Sequence, residues 1–85
     1  MGKVSAVELC QRLKDESEAS QDDSAVNNLR IRILDYLITS RISDDRLEEV
    51  LEGRIRDPDP AKKHSKVICA QILQAWRNNR HEGNN

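Results

Sequence analysis

Apolar positions along this chain recur at helical spacing in four separate blocks and nowhere show the alternation of a strand. The first block is Ala6, Val7, Leu9, Cys10 and Leu13. A start signal precedes it: Ser5 as cap, Glu8 placed to reach back as the second half of a capping box, and Val4 and Leu9 as a hydrophobic staple. From Lys14 to Ser24 the chain is almost wholly polar, so this helix is expected to fray near Glu18 and pass into a loop through Asp23. The second block predicts a helix from about Ala25 to Thr39, capped by Ser24 or Asp23. Val26, Leu29, Ile33 and Leu37 make its main stripe; Ile31, Leu34 and Ile38 widen it, and Tyr36 falls at the edge.

The third block is short. Ser43 is its expected cap, Asp44 and Asp45 sit at the positive end of the dipole, and Ile42 staples to Leu47. Val50 and Leu51 complete the face, Gly53 is a plausible stop, and Ile55 adds a core contact. Asp57-Pro58-Asp59-Pro60 then interrupts the helix, because each proline pushes the residue before it out of the helical region. Asp59 as cap and Pro60 in the first helical position open the last block, with Ala61, Ile68, Ile72 and Trp76 as its core face, flanked by Val67, Cys69 and Leu73. The expectation is an all-α fold, a compact bundle of four to five short helices forming a single domain over residues 1–85. A disordered polar tail is expected from about residue 81.

Charge adds an asymmetry to this pattern. The net charge is −1, which gives no global field for nucleic acid. Residues 1–23 nevertheless carry six acids against three bases, whereas residues 60–80 carry Lys62, Lys63, Lys66, Arg77 and Arg80 and no acid. Cys10 and Cys69 each lie on an apolar helix face and are expected to be reduced, buried thiols. No stretch reaches the length of a membrane span and no signal peptide is visible; Met-Gly-Lys-Val-Ser-Ala approaches a myristoylation signal but has Ala6 where Ser or Thr is wanted.

Catalytic chemistry finds no constellation in the sequence. His81 falls in the expected tail, and His64 is five residues from Cys69, off the shared face a metal pair needs. There is no Gly-rich phosphate loop and no zinc or calcium spacing. No catalytic, metal or cofactor residue is therefore assigned, and a non-enzymatic protein is expected.

From Ile42 to Trp76 the chain resembles the second half of the TFIIS N-terminal domain, also called the LW domain, a helical module found in elongin A among others. Ile42-Ser43 stands at the family's Ile/Val-Thr step, Leu47 at its helix anchor and Gly53 at its glycine. The run from Ile68 to Trp76 follows the closing helix position by position, and Leu34 and Leu37 fall at leucines of the preceding helix. Two places depart: Arg54 to Pro60 replaces the family's Val-Asn-x-Leu-Arg-Lys, and Arg41 stands where a proline often precedes the step. The resemblance implies a nuclear setting in transcription elongation and partners that are short, disordered, acidic and apolar segments; without it the expected location is cytoplasmic.

The leading expectation is thus a protein-interaction module that binds an acidic or disordered protein segment through Lys62, Lys63, Lys66, Arg77 and Arg80. One alternative is a small bacterial or phage regulator that blocks a host protein or self-associates as a homodimer. A nucleic-acid binder of helix-turn-helix type ranks last, since its reading helix would carry Asp44, Asp45, Glu48, Glu49 and Glu52 against one Arg46.

Overall fold

A computed structural model describes residues 3–21 and 24–82. It holds four helices: α1 Ala6–Ala19, α2 Ala25–Thr39, α3 Asp44–Ile55 and α4 Lys63–Glu82, the last entered through one 3₁₀ turn, Pro60–Lys62. The bundle is two helical hairpins: α1 packs chiefly on α2 and α3 on α4, and the pairs meet where α4 crosses α2 and α1 and where α1 touches α3. The fold class is all-α, as the periodicity requires.

Local chemistry explains the boundaries. The Ser5 hydroxyl accepts from the Glu8 amide (3.2 Å) and the Ser24 hydroxyl from the Asn27 amide (3.1 Å), each satisfying an orphan donor of a first turn. Glu8 is exposed and makes no bond back to Ser5, so only half of the capping box forms. Ser43 occupies the cap position of α3 but makes no side-chain cap bond. Asp44, one residue on, instead accepts the Ala6 amide of α1 (2.8 Å), so a side chain of α3 caps its neighbour. At the end of α2 the Arg41 amide bonds the Ile38 carbonyl and the Ile42 amide the Leu37 carbonyl. This pair of bonds is a Schellman ending, and it forces Arg41 to φ 52°, a left-handed conformation in which a side chain costs roughly 1–2 kcal/mol.

The core is Leu9 and Cys10 of α1, Leu34 and Leu37 of α2, Leu47 and Leu51 of α3, and Ile68, Cys69, Ile72, Leu73 and Trp76 of α4, with Ala6 at one end. Both cysteines are buried free thiols, as expected. Trp76 is core, only 2% exposed.

Five expectations need correction. Gly53 does not stop α3: the helix continues to Ile55 and ends on Arg56, because nothing there demands the left-handed geometry that a glycine stop supplies. Ala61 is exposed, since it lies in the 3₁₀ turn and not on the α4 core face. Val67 is half exposed because it points away from Ile68 and Cys69, which face inward. The buried face of α2 is rotated by roughly a quarter turn from the expected stripe, towards Leu34, Leu37 and a buried Asn27, leaving Val26 exposed and Leu29 and Ile33 half buried. Lastly, α4 runs on through His81 and Glu82, within the expected tail; residues 83–85 of that tail lie outside the described residues.

Two polar devices tie the helices together. Asn27 donates to the Ser17 carbonyl (3.2 Å) and accepts from Arg30 (3.2 Å), whose other nitrogen reaches Gln71 of α4 (2.9 Å). Asn79, buried near the end of α4, grips the backbone of Val4 on both sides: it accepts the Val4 amide (3.0 Å) and donates to the Val4 carbonyl (2.9 Å). The N-terminal segment is thereby strapped across the α3–α4 hairpin.

Candidate interaction surface

The structure divides the five cations into three groups. Lys62, Lys63 and Lys66 cluster where the 3₁₀ turn passes into α4. Arg77 lies eleven residues beyond Lys66, roughly 16 Å along the helix at 1.5 Å per residue. It turns onto α3, where it bonds Glu48 (2.9 Å) and Glu52 (3.1 Å). Arg56 adds a second partner to Glu52 at 3.3 Å. Arg77 is therefore part of the seam between α3 and α4. Arg80 sits in a cleft at the far end with Lys3, Asp44, Asp45 and Trp76.

The three lysines keep more of their charge outward. Lys62 meets Asp57 at 3.2 Å. The Asp57 carboxyl is held below its ordinary value, first by the Asp59 amide it accepts (3.0 Å) and then by Lys62, with Lys66 contributing at longer range. Among the described residues Lys63 and Lys66 have no ion-pair partner, and Lys63 is exposed. The Asp57–Asp59 turn stages this cluster: Asp57 folds back on the Asp59 amide, Asp59 accepts the Ala61 amide (2.9 Å), and two prolines fix the backbone between them.

Beside Lys62 runs a trough that periodicity alone does not predict. One part, about 270 Å³, is formed by Leu29, Arg32, Ile33 and Tyr36 of α2 with Arg54 of α3 and Ser65 of α4. A second part, about 420 Å³, is formed by Val50, Gly53, Arg54, Asp57, Lys62 and Ser65. Arg54 and Ser65 border both, so the two parts adjoin. Tyr36 is 55% exposed, and the Arg54 guanidinium lies over its ring at 5.4 Å, a cation–π contact. Three cations, Arg32, Arg54 and Lys62, border an apolar lining of Leu29, Ile33, Tyr36 and Val50, with Asp57 as the one acid. The spacing places Leu29 and Ile33 on the main stripe of α2 and Tyr36 at its edge; the rotation of α2 leaves the first two only partly buried, beside the exposed Tyr36.

The other openings differ. A depression between the hairpins has an apolar floor of Leu13, Leu34 and Ile72, but the Asn27–Arg30–Gln71 network fills its rim with mutually satisfied polar groups. In the Arg80 cleft, Trp76 is a wall, and its indole N–H is the one buried side-chain polar atom among the described residues with no hydrogen-bond partner. No three His, Cys, Asp or Glu side chains of the described residues come together as a metal site. No helix of the described residues is long and apolar enough to cross a membrane. Comparison with protein-family models, curated proteins and solved structures returns no match.

Proposed function

We infer that this protein is a non-enzymatic interaction module that binds an acidic, apolar segment of a partner protein at the start of α4 and the adjoining trough. The observation that carries this reading is the juxtaposition of a partly exposed apolar lining with the cations Arg32 and Arg54, next to Lys62, which pairs with Asp57; Lys63 and Lys66, without ion-pair partners among the described residues, follow Lys62 at the start of α4. Apolar anchors supply affinity in such a surface, and charge complementarity supplies orientation and encounter rate. Arg77 drops to a structural role in this reading, because its two carboxylate partners are intramolecular. The resemblance to the TFIIS N-terminal domain is consistent with the same partner class and would set the module in the nuclear elongation machinery. Nucleic-acid binding with α3 as the reading helix is disfavoured, because the first turns of that helix present Asp45 and Glu49 to solvent and would meet phosphate repulsion.

The test is titration of labelled peptides against the intact protein, comparing sequences with acidic residues around an apolar anchor with neutral sequences carrying the same anchor. The expected outcome is salt-sensitive binding of the acidic set alone, lost on combined reversal of Lys62, Lys63 and Lys66 to Glu with the helical circular dichroism retained. Equal binding by the reversed protein would sink the reading.

A further inference from the structure

Gly53 has no role in the fold that a larger residue could not fill. Three structural reasons hold a glycine in place: a positive φ, a helix stop, or close approach of another chain segment. Gly53 has none of them. Its φ is not positive, α3 runs past it to Ile55, and a Cβ built on it meets nothing within 4 Å beyond its own helix and chain neighbours. Within a helix, glycine is nonetheless about 0.5–1 kcal/mol worse than alanine. The open space beside it is the second part of the trough, between Val50, Arg54 and Lys62.

We propose that the bare backbone at Gly53 is the seat for a bulky apolar side chain of the acidic segment, which makes position 53 the specificity-determining position of this surface. Any side chain at 53 would project into the trough and occupy the volume the anchor needs. The occupant is chosen by the border: an anchor resting on Gly53 and Val50 carries neighbouring carboxylates past Arg54 on one side and, on the other, past Lys62, where they compete with Asp57 for its ammonium. Arg54 can leave the Tyr36 face to meet a carboxylate, because that cation–π contact is solvent-exposed and weak. This inference rests on the function proposed above and narrows it to one geometry.

Two substitutions test it against each other. Gly53→Ala adds only a methyl group, should raise Tm through helix propensity, and should bind acidic peptides with a central Leu or Phe much as the parent does. Gly53→Leu should also keep the fold, since its Cβ enters open space, but should weaken those peptides about tenfold or more by overfilling the seat. Titrations are read beside the charge-reversed protein. Undiminished binding by Gly53→Leu, with binding lost on charge reversal, overturns the seat while the interaction reading stands. Failure of every acidic peptide to bind the parent protein overturns both.

Discussion

Replacement of Asn79 by Ala tests how far the N-terminal strap belongs to the folded unit. The amide of Asn79 makes two bonds to one peptide segment, 3.0 Å from the Val4 amide and 2.9 Å to the Val4 carbonyl, and the residue is 8% exposed. A net hydrogen bond contributes about 0.5–1.5 kcal/mol, so the pair accounts for roughly 1–3 kcal/mol. The upper end requires Val4 to stay in place with its backbone groups stranded. If the strap lifts, water satisfies them, but Val4 then leaves the core it packs against. In a domain of this size one kcal/mol corresponds to about 4–8 °C in Tm, so a fall on the order of 5–20 °C is expected by calorimetry. Amide exchange adds a local reading. The Val4 and Ala6 amides, bonded to Asn79 and Asp44, should lose protection in Asn79→Ala, whereas amides within α2 should change only as much as global stability does. A Tm within a degree or so of the parent, with Val4 exchange unaltered, would refute the argument and make the strap incidental.

Other expectations follow from burial. Trp76→Ala should destabilise by about 3–5 kcal/mol in denaturant titrations, whereas Trp76→Phe should cost far less, because a retained ring leaves a smaller cavity and the indole N–H it gives up is buried without an acceptor. An equal loss in both variants would contradict the cavity argument. Burial pushes the Cys10 thiol up from 9.0 to about 11, and Cys69 moves the same way. Below pH 9 both folded and unfolded chains hold the neutral thiol, so it adds no pH dependence there. Between pH 9 and 11 only the unfolded chain ionises, and stability should fall, by roughly 2 kcal/mol for Cys10 at the upper limit. A Cys10→Ala chain should show a shallower decline over that interval in urea titrations, and an unchanged slope would contradict the burial argument.

Helix identity and order were fixed locally, and so could be read from sequence. Ser5, Ser24 and the Asp59-Pro60 pair start helices because their side chains or missing N–H groups answer orphan donors within a few residues. Leu34, Leu37, Leu47, Leu51, Ile68 and Ile72 are buried because each lies on a face of its own helix that periodicity already marks. The five cations could also be read as a cluster of like charge, since charge belongs to the residue. What each cation does could not: Arg77 meets Glu48 and Glu52 only because α3 folds back beside α4, across a separation of 25 residues or more.

Tertiary structure decided the rest through rotation and proximity. A broad apolar band on α2 is compatible with several orientations. Packing of Asn27 against the Ser17 carbonyl, and of Leu34 and Leu37 into the core, selected the one that turns Leu29, Ile33 and Tyr36 towards Arg54. Asp44 and Asn79 show the same point in polar form. Both read as ordinary helix residues, yet they hold Ala6 and Val4, 38 and 75 positions away. Gly53 was the natural stop signal of its helix; α3 nevertheless continued past it, because a helix ends where its last carbonyls find other partners, and here they find them at Arg56 and Asp57. Sequence periodicity specifies which side of a helix is apolar to within a broad arc. Only the packed neighbours settle which edge of that arc stays at the surface.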